Sequence, residues 1–426
     1  MKTCRGRAAP LAAGLALAWL AALAPAAPTA APPAASAPQA PPAEAAAFAA
    51  FLAGLRGEAL AMGVSAATWR RETAGLTPDL SLPGLARGGE TPSHAGQREF
   101  SATPARYLAE QAIAAAAARG RRLKARYAAE LAAIERRFGV PGEVALAVFG
   151  RESGYGADTG RHDALRALAT QAWAGRRREA YRREFLHALK MLDDGVVSRS
   201  AMKSSWAGAM GLPQILPSQF YRYGQDLDGD GRADIFGSVP DALATIAAHL
   251  RGEGWRPGGR WAHETAVPAG FDCTLADPDA PRPWREWRAL GLRAVNGPPP
   301  EPEERLALIL PAGAYGPGFL IGDSYFALKA YNYSDLYVLY VGHLADRIAG
   351  GGPFATPWGR VVQPSAAQIA AVQRALARLG LYADRIDGFA GMKTRLAVGR
   401  FQKARGLKTD CWPGPGTLAA IAAAAP

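Results

Sequence analysis

From residue 46 to about residue 347, apolar side chains recur at helical spacing, and the pattern predicts a mainly α fold. Phe48, Phe51, Leu52, Leu55, Leu60 and Val64 give residues 46–71 a helical look, with Gly63 marking a turn. A second helical stretch covers residues 103–138, and Pro141 opens a third at a position where a first turn accepts proline. In that third helix Val144, Ala145, Leu146, Ala147, Val148 and Phe149 leave no polar face, so it must be buried on every side. Residues 268–302, rich in Pro, Trp and Gly, interrupt the pattern and predict a minor irregular segment with a few short strands.

Gly350, Gly351, Gly352 and Pro353 end the periodic region, and residues 348–363 read as a linker. Beyond them Val372, Leu376, Leu379 and Leu381 trace an amphipathic helix, residues 394–402 a second and 416–424 a third. The chain thus divides into an α-rich domain over residues 46–347 and a small three-helix domain over residues 364–426. The Gly/Pro linker isolates this module, and it carries no acid/base constellation, so tethering is its expected work.

The first residues change the picture of where the protein acts. Lys2, Arg5 and Arg7 precede an apolar run and then small residues, the pattern of a secretory signal over residues 1–30. Cys4 stands before the apolar run, so no lipid anchor is expected, and no other run reaches the roughly 20 apolar residues of a spanning helix. Residues 31–45 are Ala/Pro-rich and read as a disordered tether. Without the three basic signal residues, 49 Lys and Arg against 37 Asp and Glu leave a charge of about +9. An anionic partner is compatible with that balance, but the export signal and the lack of any nucleic-acid-binding motif exclude nucleic acid. Cys273 and Cys411 either pair in an oxidising compartment or remain two buried thiols.

Three segments carry candidate chemistry. Glu152 lies near the end of the buried helix, before Ser153, Gly154, Tyr155 and Gly156. Burial and the negative end of the helix dipole both disfavour its ionised form, as a general acid requires. The run from Ser204 to Ser218 alternates small residues with glycine, which lets a polymer approach the backbone closely, and Ser205 and Gln214 supply neutral hydrogen-bonding groups. The third segment, Tyr331, Asn332, Tyr333, Ser334, Asp335, Leu336 and Tyr337, alternates aromatic faces with amide and hydroxyl groups suited to sugars. Separately, Asp226, Asp228, Asp230 and Asp234 stand at positions 1, 3, 5 and 9 of an EF-hand-like loop with Gly231 at position 6, but Gly237 replaces the acidic residue at position 12.

In their order and wording these segments closely resemble the B-type lytic murein transglycosylases: G-R-E-S-x-Y-G around Glu152, S-S-W-A-G-A-M-G-x-P-Q-x-x-P-S from Ser204, and Y-N-Y-S from Tyr331. The resemblance implies a lysozyme-like catalytic domain acting on peptidoglycan glycan strands in the periplasm. It implies Glu152 as the single acid and base, Ser205 and Gln214 near it, and Tyr331, Asn332 and Tyr337 in the sugar cleft. No cofactor is required; the Asp226 loop either holds a structural Ca²⁺ or Na⁺ or is a rigid Asx-turn loop. The C-terminal module resembles a peptidoglycan-binding domain in Gln373, Asp387, Gly388, Thr394, Phe401 and Gln402, with Met392 in place of the usual Pro and Cys411-Trp412 at the second Asp-Gly turn. Two other readings compete. A lysozyme-like hydrolase needs a second carboxylate, for which Asp158 and Asp163 are nearest in sequence, and a non-catalytic wall-binding protein would accept any residue at position 152.

Overall fold

The apolar helix Gly142–Ser153 is the axis about which the main domain is built; Ala145, Leu146, Ala147 and Val148 are all fully buried. Helices Glu110–Arg126, Ala128–Phe138, Val239–Gly252 and Asp335–Ile348 surround it. A second core lies under helices Pro42–Ala61, Ala164–Ala174 and Arg178–Asp193, where Phe48, Leu52, Leu168, Phe185 and Leu189 meet. The computed structural model describes residues 41–85 and 101–425, so the expected export signal and residues 31–40 of the expected tether lie outside the described residues. No helix among the described residues is long and apolar enough to cross a membrane.

The helix expected from residue 46 starts earlier, at Pro42, taking in the end of the expected tether. Gly63, at φ 82°, separates it from Ala66–Thr73, whose first turn is capped by the Ser65 hydroxyl accepting from the Thr68 amide. A larger departure is the sheet. Five antiparallel strands run in the order Arg282–Pro283, Arg305–Ile309, Gly318–Ile321, His263–Ala266 and Arg293–Ala294, with Leu308 opposite Leu320 and Glu264 opposite Phe319. Two of its longer strands fall after residue 302, where the helical pattern was expected to continue. Leu306, Ala307, Leu308 and Ile309 are all buried, and a short apolar run of this kind reads alike as buried helix or buried strand.

The C-terminal helices Ala366–Arg378, Met392–Ala404 and Pro415–Ala424 enclose Val372, Leu376, Val398, Phe401 and Ile421. Two buried glutamines repeat one device. Gln373 Oε1 accepts from the Asp387 and Gly388 amides, and Gln402 Oε1 from those of Asp410 and Cys411. Cys411 thus occupies, at φ 55°, the left-handed position that glycine fills in the first turn.

The module is not isolated. Cys411 forms a disulfide with Cys273, and Gly399 is the one residue small enough beneath it, since a Cβ there would lie 2.2 Å from Cys411 Sγ. Met392 is buried in the main core, and Arg400 and Lys403 pair with Asp277 and Asp272. The expected linker is bound along its length: the Ala355 and Thr356 amides donate to Glu264, Gly359 N donates to Tyr315 O, and Trp412 Nε1 donates to Val362 O. Glycine and proline content signals an irregular backbone, and here that backbone is irregular yet packed.

Three histidines are buried in the main domain. Burial pushes His249, His263 and His343 each down to about 4, assisted at His263 by Arg260 and at His343 by Arg347. Unfolded histidine titrates near 6.5, so stability is complete above that pH and is lost as pH falls towards 4. Each histidine contributes a slope approaching about 1.4 kcal/mol per pH unit in this window. Asp346, raised by burial, opposes them with one proton against three. The melting temperature should therefore fall between pH 6.5 and pH 4, and a flat profile would contradict this assignment.

Candidate active site

The buried helix ends in a left-handed Gly154, at φ 57°, which turns the chain sharply after Ser153. Glu152, half-buried, is left at the rim, and its carboxylate Oε1 accepts a hydrogen bond of 2.5 Å from the Tyr337 hydroxyl. Tyr337 is itself almost wholly buried, and burial, with Glu152 beside it, pushes its hydroxyl well above the usual range. It therefore remains a proton donor at any physiological pH.

The second segment comes against the first through Gly160, where a Cβ would meet the Ser204 carbonyl carbon at 2.2 Å and the Ser205 amide nitrogen at 2.6 Å. The Ser205 hydroxyl accepts from the Ala207 and Ala209 amides and shapes the Gly/Ala loop from within. Gln214 stands at φ 51°, an uncommon conformation for a residue with a side chain. Its amide donates to Thr159 O at 3.0 Å and Gly211 O at 2.9 Å, joining the loop to the turn that follows Glu152.

The third segment closes the triangle. Tyr331 donates to Pro213 O at 3.0 Å, tying it to the second segment as Tyr337 ties it to the first. Asn332 Oδ1 accepts from the Ser334 amide and sets the start of helix Asp335–Ile348, while Tyr333 is 74% exposed beside it. All the sequence-derived cleft residues thus lie on three mutually bonded segments. The Gln214 amide nitrogen and the Tyr331 hydroxyl hold those segments together.

Two residues that support these segments were given no role from the sequence. His249 lies between Tyr223 and Tyr331, each ring 4.6 Å away, so a neutral imidazole backs the Tyr331 ring. Asp335 is almost fully buried, with Oδ1 accepting from Lys329 and Tyr325. Lys329 and Arg395 hold its carboxyl down at about 2 against the burial that would raise it. A carboxylate opening a helix whose first half otherwise carries no charge was the available signal.

Of the four loop aspartates, Asp226, Asp228 and Asp230 each bring a carboxylate oxygen within 4.8 Å of the others. Asp234 is engaged elsewhere, its Oδ1 accepting from the Phe236 and Gly237 amides. Asp241, another residue the sequence reading missed, is fully buried and accepts the Leu227 and Asp234 amides, bracing the loop from inside. The alternative carboxylates are also committed. Asp158 accepts from the Gly160 amide, and Asp163 caps helix Ala164–Ala174 and pairs with Arg199 at 2.6 Å.

Residues 47–346 match the family described as Transglycosylase SLT domain, and residues 365–421 match one described as peptidoglycan binding domain. Over 219 residues the chain is 28% identical to membrane-bound lytic murein transglycosylase B of Escherichia coli, matching half of this chain and 58% of that protein's length. It is 36% identical to SltB3 from Pseudomonas aeruginosa, covering 88% of this chain and 99% of that one. SltB3 was crystallised with NAG-anhNAM-pentapeptide and with NAG-NAM-pentapeptide, and the TM-scores are 0.75 and 0.77. The Escherichia coli transglycosylase SLT35 in complex with calcium shares the fold at 22% identity and a TM-score of 0.52, over 72% of this chain and 92% of that one. Sequence and geometry together show that the chain belongs to the SLT-domain transglycosylase family.

Proposed function

We propose that the protein is a lytic transglycosylase that cleaves the bond between N-acetylmuramic acid and N-acetylglucosamine in peptidoglycan, with Glu152 as sole acid and base. The observation that carries this reading is the carboxyl of Glu152 at the junction of three mutually bonded segments, with the Tyr337 hydroxyl 2.5 Å away. Protonated Glu152 donates to the glycosidic oxygen as the C1–O bond breaks, and the substrate's own acetamido oxygen meets the charge developing at C1. The resulting carboxylate, held by Tyr337, takes the proton from the muramic acid C6 hydroxyl, whose oxygen attacks C1 and closes a 1,6-anhydro ring. No second carboxylate is needed, in keeping with the structural engagements of Asp158 and Asp163. Ser205, Gln214, Asn332 and Tyr331 line the path of the sugars, and the Gln214 amide nitrogen also keeps the loop beneath them in register. Mass spectrometry of sugars released from purified sacculi should find products lighter by one water than those of lysozyme. Products of lysozyme mass would overturn the reading.

The C-terminal module binds the wall, and the basic, apolar start of the chain directs export to the periplasm. A buried disulfide is at home in such an oxidising compartment. Asp226, Asp228 and Asp230 suit a hard cation such as Ca²⁺, with backbone carbonyls or water completing its shell. Its work would be structural. Millimolar Ca²⁺ should raise the melting temperature relative to chelator while turnover survives chelation, because a ligand of the native state stabilises it by mass action. Identical melting curves would leave a loop held by its own hydrogen bonds.

A further inference from the structure

The helix that presents Tyr337 to Glu152 begins at Asp335, and the side chain of Asp335 is held from two directions. Lys329 and Tyr325, from the same domain, bond to Oδ1. Arg395, from the C-terminal module, donates through Nη2 to Oδ2 at 3.0 Å. The pair is buried, at 8% and 6% side-chain exposure, and Arg395 Nη1 is anchored in turn on Ala390 O within the module. The disulfide and Met392 fix the helix that carries Arg395 against the main domain, so the guanidinium is delivered in a defined place.

Without Arg395, Lys329 and Tyr325 still hold Oδ1, but the buried Oδ2 loses its donor, and the backbone around a stranded buried acceptor moves to find water or a new partner. Here that backbone is the first turn of the helix bearing Tyr337, two residues further on. The geometry points to Arg395 as a positioning residue for the cleavage reaction: from the module it holds Asp335, and thereby the alignment of Tyr337 with Glu152. The C-terminal module then takes part in turnover as well as in wall binding. This inference rests on the proposed role of Glu152.

The test compares Arg395→Met, Arg395→Lys and Arg400→Ala in the full chain, with Glu152→Gln as a parallel arm, on soluble glycan fragments. Arg400 also joins the module to the main domain, through Asp277, but on the surface. A misplacement of about 1 Å can cost about a hundredfold in rate. Arg395→Met should therefore lower kcat by roughly 10- to 100-fold with KM changed less than about twofold. Arg395→Lys, which keeps a cation, should recover much of that loss, and Arg400→Ala should turn over like the parent. Circular dichroism at the assay temperature confirms that each variant is folded, and Arg395→Gln replaces the methionine variant if that one does not fold. Parental kcat in the folded neutral variant overturns the inference, as does a rise in KM alone or an equal loss in Arg400→Ala. Activity in Glu152→Gln would instead overturn the underlying reading.

Discussion

Glu152→Gln is expected to lower glycan cleavage by about 10² to 10⁴-fold, the usual worth of acid–base catalysis, and by more if both proton transfers depend on it. Glutamine preserves size and still accepts the Tyr337 hydrogen bond, but it cannot donate a proton to the leaving oxygen and take one back from the C6 hydroxyl. Glu152 is half-buried at a helix end rather than in the core, so folding should be unchanged. Initial rates on soluble fragments measure the effect, with melting curves as control. Parental turnover in the variant would place the chemistry on another residue.

The second large effect concerns stability. Cys273 and Cys411 are each 2% exposed, they lie among Trp284, Trp287, Leu306 and Leu310, and their bond closes a loop across a sequence separation of 138. Cross-links over long loops restrict the unfolded chain strongly, and loss of a native disulfide typically costs about 2–5 kcal/mol. The double variant Cys273→Ala, Cys411→Ala should lower the denaturation midpoint accordingly, and reductant should shift the parent protein but not the variant. Coincident midpoints for parent and variant would show that the non-covalent contacts of the module suffice to hold it.

Much of this was legible in the sequence, for reasons that differ from residue to residue. The Glu152 helix announced itself because a helix without a polar face can only be central, and a carboxylate at its end has a defined electrostatic setting. Tyr337 and Tyr331 were placed in the cleft from the wording of their segment, but their hydrogen bonds to Glu152 and Pro213 depend on how three distant segments fold together. Gln214 read as a substrate-binding amide. From its left-handed backbone the amide nitrogen also reaches Thr159 O, which no local pattern reveals.

The remaining surprises share one cause, that pairing between remote positions leaves no local trace. Two cysteines could be counted, yet whether their Cβ atoms meet is a matter of tertiary geometry. Arg395 and Asp335 are 60 residues apart and belong to different helices, so their ion pair could not be foreseen. Glycine and proline after residue 349 signal a linker of irregular backbone, but they carry no information on whether that linker packs, as it does here against Glu264 and Trp412. The strands Arg305–Ile309 and Gly318–Ile321 were missed because buried strands do not alternate.

The central claim is that water takes no part in the cleavage, and digestion of sacculi in ¹⁸O-water tests it most directly. Products of this protein should carry no ¹⁸O at C1 and should end in 1,6-anhydro rings. Reducing ends bearing ¹⁸O would show that water attacks C1 and that the protein is a hydrolase.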